Sequence, residues 1–490
     1  MFSITSEYPR KLFVVLFVPL APYKLSSDLL VIDMESGEAQ VVPDSDYRAI
    51  QERLDTQKVF PTGYLTRPAI NTIPVEILSQ IFWYFQPEAH VCLLPDIPPL
   101  ALFIGVCRHW RAVALNTPSL WSTIVLNNPK RIHLTMVHQW LERSTSCPLT
   151  LSLTLDNYEV LRWNTAERIL SIFTQYLHRW KSIFLSFTNF PIHSRSPLLQ
   201  LPISRTAAPL LEKVNIRNRR SFTPEANERF WKAIGAYDSV RHVIRIEASE
   251  DPKLSLPNLL GAPWANLILL TAQFAVDDAC MDFLSGCQAL EGLKILSLVR
   301  TSASLHPRSR IRLPSLHTLS YSSSEPFGLP SLLDQLELPA LTSLTLNEWH
   351  CGHSWIDMLE SSACQLKTMR ISEQPSAEAD IPDLLLSSSL QYLEEFRGYM
   401  RFSPAGSIIQ ALTWKSGTRS LPSLRRLDLT IGTFEDGLLS AMLTSRLDHF
   451  CCALQQVSLN LRLARKWGDI STDFGFVKDL SVDGLDFSYR

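Results

Sequence analysis

The densest group of metal-type side chains is His350-Cys351-Gly352-His353, with Cys364 shortly after. Imidazole and thiolate are zinc ligands, but a tetrahedral site needs spaced ligand pairs, and this spacing fits no zinc frame. The group follows a strand-like stretch at 341–346, so it reads as polar loop residues and buried thiols. Cys451-Cys452 are adjacent, a poor geometry for a relaxed disulfide, and read as core packing. The basic runs Arg217-Asn218-Arg219-Arg220 and His306–Arg312 have the composition of an anion patch or a nuclear address; a solvated loop is the expectation for both. There is no Gly-x-Gly-x-x-Gly, phosphate loop, His-Glu-x-x-His or Gly-x-Ser-x-Gly. The chemistry-bearing residues therefore point away from an enzyme, with no catalytic residue, metal or cofactor expected.

Composition agrees with a binding protein. The 490 residues suffice for several domains. Lys+Arg number 46 against 48 Asp+Glu, a net charge of −2, which argues against nucleic acid held by bulk charge. With 46% hydrophobic and 19% charged residues, the chain is not a disordered one. About one residue in six is Leu while Gly numbers only 17, a skew toward a Leu-based repeat and away from a glycine-rich cofactor fold. Nine scattered cysteines, no Cys-x-x-Cys and no Asn-x-Ser/Thr acceptor favour a reducing setting, cytoplasmic or nuclear. Near the start, Arg10-Lys11 precedes the apolar run 12–21, which is too short to span a bilayer. Glu7, Pro9 and Pro19 spoil it as a secretory leader, so strands are expected at 12–21 and at Leu29–Ile32, and no membrane partner.

A helical piece stands out at 70–125. Thr72 can cap a first helix, Pro74 suits its first turn, and Glu76 suits the positive end of its dipole. Ile77, Leu78, Ile81, Phe82 and Phe85 follow at helical spacing. Four prolines in 86–99 end it. A second helix places Leu102, Val106, Trp110, Val113 and Ala114 on one face and stops at Pro118. This is more large apolar surface than so short a piece buries alone.

Three blocks in order, Ile73-Pro-x-Glu-Ile-Leu-x-x-Ile-Phe82, Val106-Cys-Arg-x-Trp-Arg111 and Thr117-Pro-x-Leu-Trp-Ser122, resemble the F-box motif in its fungal form. Two departures are the long Pro-rich loop and the absence of a preceding Leu-heptad helix. The resemblance implies docking on a Skp-type adaptor, and through it on a cullin–RING ubiquitin ligase. By motif position it implies adaptor binding by Ile73, Pro74, Glu76, Ile77, Leu78, Ile81, Phe82, Val106, Cys107 and Trp110. Pro74, Ile77 and Leu78 are expected to face the adaptor, and Phe82 and Trp110 to hold the module together.

Beyond residue 120 the pattern Φ-x-x-Φ-x-Φ recurs, Φ being apolar. Its second Φ falls clearly at Leu293, Leu319, Leu344, Met369, Leu427 and Val457, and more weakly at Ile124, Leu151, Ile183, Val214, Ile244, Leu267, Leu393 and Leu480. Successive spacings run from 23 to 34, five in a row at 24–26. Several copies open with Leu-Pro-Ser/Ala-Leu, at 313–316, 338–341 and 421–424. The period resembles leucine-rich repeats, whose units must stack to cover their apolar edges. Asp278–Gly286 and Ser354–Ser361 read as return helices. The Asn or Cys that the family carries five residues after each anchor is missing, at Asp156, Thr188, Trp349 and Gly432 among others.

The expected fold class is α/β: a small helical F-box module followed by a leucine-rich-repeat solenoid with a curved parallel sheet. The expected domains are an accessory segment 1–68, the F-box module 69–120 and the solenoid 121–490. Residues flanking each anchor should point away from the core. They include Gly292, Lys294, Thr318, Ser320, Ser343, Thr345, Thr368, Arg370, Arg426 and Asp428. A protein substrate is expected there, with Lys294, Ser320, Thr345, Arg370, Arg426 and Asp428 as its contacts. The function read from this is a substrate receptor of a ubiquitin ligase; the alternative is a repeat scaffold with no ubiquitin link.

Overall fold

The computed structural model describes residues 3–5, 13–17, 29–33, 39–42, 73–84, 104–156, 160–188, 196–219, 224–247, 264–299, 306, 309–323, 328–347, 351–372, 381–400, 406–414, 421–431, 434–447, 454–461, 472–473, 476 and 486–489. The chain divides into two compact units, one formed by 1–86 with 96–120, the other by 87–95 with 121–490.

The first unit contains an antiparallel sheet, β1 (Ser3–Thr5), β2 (Phe13–Phe17), β3 (Leu29–Asp33) and β4 (Ala39–Val42), in chain order. The apolar runs expected as strands are β2 and β3, with Val15 opposite Val31. No helix among the described residues is long and apolar enough to cross a membrane. The described part of this unit also holds two helices, α1 (Val75–Tyr84) and α2 (Arg108–Leu115).

The second unit is built on one 14-stranded sheet. Its strands are β5 (Thr123–Asn127), β6 (Leu149–Leu155), β7 (Trp180–Thr188), β8 (Lys213–Arg219), β9 (His242–Glu247), β10 (Leu269–Ala275), β11 (Gly292–Val299), β13 (Thr318–Tyr321), β15 (Ser343–Leu346), β16 (Thr368–Ser372), β17 (Glu395–Met400), β18 (Arg426–Ile431), β19 (Gln456–Leu461) and β20 (Asp486–Tyr489). They lie in sequence order, and every neighbouring pair is parallel. Two short strands, β12 (Ile311–Arg312) and β14 (Leu336–Glu337), pair separately. A parallel sheet whose neighbours are always consecutive repeats is a solenoid of leucine-rich-repeat type.

Register identifies the repeat anchors directly. One rung runs Ile124, Leu151, Ile183, Val214, Val243, then Leu270, Leu293, Leu319, Leu344, Met369, Phe396, Leu427, Val457 and Phe487. Four anchors expected from sequence are thereby corrected. Val243, and not Ile244, occupies the rung; Leu270 replaces Leu267, Phe396 replaces Leu393, and Phe487 replaces Leu480. Leu480 itself lies outside the described residues. Leu267 and Leu393 are buried, but in the turn before the strand.

That turn repeats with the strands. Leu316 donates its N–H to the Leu313 carbonyl, Leu341 to Leu338 and Leu424 to Leu421, and all six side chains are buried. The same three-residue step joins Ala208 to Leu211, Tyr237 to Val240, Trp264 to Leu267, Cys287 to Leu290 and Leu390 to Leu393. Just before each strand of the 14-stranded sheet from β8 to β18, one carbonyl accepts two consecutive N–H groups of the next repeat. Glu212, Arg241, Ile268, Glu291, His317, Thr342, Lys367, Glu394 and Arg425 do this at 2.7–3.0 Å.

Return segments close the other side of the core. The expected return helices are α6 (Asp278–Gly286) and α8 (Gly352–Ser362), after α3 (Ile132–Arg143), α4 (Val160–Gln175), α5 (Pro224–Gly235) and a one-turn α7 (Leu329–Leu333). Asp277 caps α6 by accepting from the Cys280 N–H at 2.8 Å. Cys280, Met281, Phe283 and Leu284 face the core. Where an Asn or Cys ladder was missing from the sequence, scattered side chains serve instead. Asn128 accepts from the Asp156 N–H, Ser323 Oγ from Leu298 and Ser362 Oγ from Leu338. Buried Arg179 ties repeats together, donating to the carbonyls of Leu141, Ser144 and Cys147. Arg446 does the same for Leu412 and Leu421.

A reciprocal aspartate clamp holds the last described turn. Asp473 accepts from Gly437 and Ser440 at the start of α11 (Leu438–Leu447), which follows α9 (Ile381–Leu386) and α10 (Gly406–Leu412) along the chain. Asp436 in turn accepts from the N–H groups of Thr472 and Asp473. These bonds, above all the one from Asp473, hold the Asp436 carboxyl below its ordinary value. Because the folded-state value is the lower one, its contribution is complete above the unfolded value and is lost as pH falls through the folded one. Protection of the Thr472 and Asp473 amides, taken relative to the intrinsic exchange rate at each pH, is therefore expected to be full near neutral pH and to be lost as pH falls through the lowered folded-state value. Unprotected exchange near neutral pH would contradict the clamp.

Candidate functional site

The helical module is made by one aromatic contact. Phe82 of α1 and Trp110 of α2 meet edge to face at 5.0 Å, and both are buried. Leu78, Ile81, Val113 and Ala114 are buried around them. Ser79 Oγ donates to the Val75 carbonyl and lies 3.2 Å from Thr117 Oγ1, which donates to the Val113 carbonyl. The Pro74 carbonyl accepts the first helical bond, from Leu78. The cap expected at Thr72 lies outside the described residues.

This packing sorts the adaptor residues named from sequence. Pro74, Glu76 and Ile77 are exposed, Ile73 is half-buried, and Val106 is exposed. Leu78, expected on the surface, is fully buried, because its position on α1 is on the Phe82 side. Ile81, Phe82 and Trp110 are interior as well. Cys107 caps α2, its thiol accepting from the Trp110 N–H at 3.4 Å. That break in the helix puts Val106 off the buried face of Trp110, Val113 and Ala114. Exposed apolar residues not named from sequence are Val75, Trp83, Tyr84 and Leu115. Val75, Ile77, Trp83 and Tyr84 are four large apolar side chains on one ten-residue helix, far more than a solvated helix ordinarily shows.

On the solenoid, the outward rows are as alternation requires. Lys294, Ser320, Thr345, Arg370, Arg397 and Asp428 lie side by side across β11 to β18. Arg426 is one row over, beside Glu395 and beyond Thr368. Thus five of the six expected contacts share one row, and Arg426 adjoins it. Arg397, not named from sequence, pairs with Glu395 at 2.5 Å. Lys294, Arg370 and Arg426 are exposed; among the described residues none has an ion-pair partner. Gly292, also outward, is buried: a Cβ there would meet Leu269 Cδ2 at 2.5 Å, so only glycine lets Leu269 lie across it.

Among the described residues, Cys351, His353 and Cys364 form no metal-type cluster. Cys351 precedes α8 with φ of 55°, and Cys364 is buried after it; His350, Cys451 and Cys452 lie outside the described residues. Among the described residues no three His, Cys, Asp or Glu side chains gather as metal ligands would. Burial raises the Cys287 thiol to about 12 and pushes Cys280 higher still, so both are packing groups. The run at 217 is not a loop: Arg217 to Arg219 belong to β8.

The chain is thus an α/β one, with a small apolar helical module and a long parallel solenoid. Residues 70–127 match the F-box-like family, and the chain carries an F-box-like domain there. No curated protein matches the chain. Among solved structures, the crystal structure of a TLR13–ssRNA13 complex aligns with 64% of this chain and 43% of that chain, at 13% identity and a TM-score of 0.31. This chain thus spans less than half of that protein's length, and at such a score the alignment carries no argument. The fold assignment rests on the strand pairing.

Proposed function

We propose that the protein is a fungal-type F-box protein with irregular leucine-rich repeats, serving as the substrate-recognition subunit of a cullin–RING ubiquitin ligase. Residues 69–120 are the adaptor module, 121–490 the recognition domain and 1–68 an accessory segment. The observation that carries this reading is the exposed apolar surface of α1 within the segment matching the F-box-like family. Large side chains on a short helix suit a helix-on-helix interface with a few anchors. The Skp-type adaptor is the partner for that face. A protein substrate is the partner for the outward sheet face, where Ser320 and Thr345 permit close approach and Lys294, Arg370, Arg426 and Asp428 offer charge. The protein works by holding and not by catalysis, in the cytoplasm or nucleus.

Co-expression of the full chain with a Skp-type adaptor is expected to give a complex that elutes together in gel filtration and recruits cullin. Separate elution of the two proteins would leave the repeat scaffold as the better reading.

A further inference from the structure

The outward face of the solenoid changes character between β7 and β10. On β8, Val214 and Ile216 point into the core, so Lys213, Asn215 and Arg217 point outward. Lys213 and Arg217 are exposed, and among the described residues neither has an ion-pair partner. Asn215 between them is only 6% exposed, and its Oδ1 has no hydrogen-bond partner. A buried carboxamide oxygen without a donor costs about 1–3 kcal/mol, so its retention on a binding face needs a reason. Asn215 is flanked in register by Phe184 on β7 and Ile244 on β9. Leu269, 43% exposed, stands beside His242.

The geometry points to a basin that takes an extended acidic peptide with interspersed apolar residues; this deepens the substrate-receptor reading by naming its substrate class, and rests on it. The Asn215 carboxamide at the floor makes no hydrogen bond within the sheet, and a peptide main chain brings both a donor and an acceptor at every residue. Lys213 and Arg217 are four residues apart on one strand, about 13 Å. Acidic side chains four residues apart on an extended segment along β8 match that distance, with the main chain between them over the Asn215 carboxamide. Ile244 and Leu269 receive apolar side chains of the same segment. A nucleic acid fits less well. Phe184 is nearly buried, with the Arg217 guanidinium 5.3 Å over its ring, so it presents no open face for a base. Two cations also give little phosphate neutralisation.

The test uses the full chain and fluorescence anisotropy with three labelled probes. They are the peptide Ala-Leu-Glu-Leu-Ala-Leu-Glu-Leu-Ala, the same peptide with Gln for Glu, and a nine-residue oligothymidylate. The acidic peptide is expected to bind about tenfold tighter than the neutral one, roughly the worth of two charge-assisted contacts. Lys213→Glu with Arg217→Glu should remove that preference, and both residues are exposed, so the core is untouched. Asn215→Ala should weaken binding about threefold, as expected for one hydrogen bond. Lys294→Glu, Arg370→Glu and Arg426→Glu together should leave it within about a factor of two, because they lie on other strands. Equal binding of the two peptides, retention of the preference in the Lys213/Arg217 variant, or tighter binding of the oligonucleotide would each overturn the inference. Adaptor capture is read on the same preparations. Loss of the peptide preference with adaptor capture intact sinks this inference alone; peptide binding without adaptor capture sinks the ligase reading and leaves the basin standing.

Discussion

Replacing Leu427 by alanine is expected to destabilise the solenoid by about 2–5 kcal/mol, measured by urea unfolding of the full chain. Leu427 is 1% exposed and sits in the rung between Phe396 and Val457. The loss has two parts, the transfer of the missing methyl groups and the cavity left among side chains held by strands on both sides. Leu344, in the same rung between Leu319 and Met369, should behave alike. Arg426→Ala, the exposed residue next door, is the control and should change stability by no more than about 0.5 kcal/mol. Because stability in a stacked array is a sum over neighbours, the effect should appear as a lower midpoint for the repeats around the site. A Leu427 variant as stable as the wild type would mean that this side chain is not in the core.

The second large effect concerns the helical module. Val75→Asp with Ile77→Asp is expected to weaken adaptor binding by tenfold or more, at least about 1.4 kcal/mol by calorimetry, with the module still folded. Both side chains are exposed, so the charges meet water in the free protein and cost only in the complex. Leu78→Ala behaves differently. It opens a cavity beside Phe82 and Trp110, and should lower the module's thermal stability as well as its binding. Measuring circular dichroism and binding on each variant separates the two. Unimpaired adaptor binding by the double aspartate variant would remove this face from the interface.

Much of the solenoid was legible because inward positions are so often Leu. Leu293, Leu319, Leu344, Met369, Leu427 and Val457 fall in one rung as expected, and the Leu-Pro-Ser/Ala-Leu steps are the turns they announced. Three of the four displaced anchors have a common physical origin. The second inward position after Val243, Leu270 and Phe396 is held by Arg245, Ala272 and Gly398. None of these is a large apolar residue, so the pattern broke at its last letter. Arg245 is 3% exposed and lies 5.6 Å from the Trp231 ring, a cation occupying a leucine's place. In the helical module the apolar periodicity gave the helices, but not which of two neighbouring residues, Ile77 or Leu78, faced inward. That depended on where Phe82 meets Trp110. Asn215 left no signal in sequence, since an unfilled acceptor is visible only once its neighbours are placed.

The doubly used carbonyls before β8 to β18 set what kinds of length change this array tolerates. Each fixes where a strand begins relative to the one before, and neither partner belongs to a return segment. From β8 to β19, neighbouring anchors can therefore lie anywhere from 23 to 31 residues apart and still pair in one rung. An insertion in a return segment lengthens a loop and leaves the outward sheet face unaltered. The same single residue inserted between the turn and the anchor exchanges the two faces of that strand, turning leucines to water and hydroxyls to the core. Growth and divergence of such a protein are thus channelled to the side opposite the sheet, with the outward sheet face altered one substitution at a time.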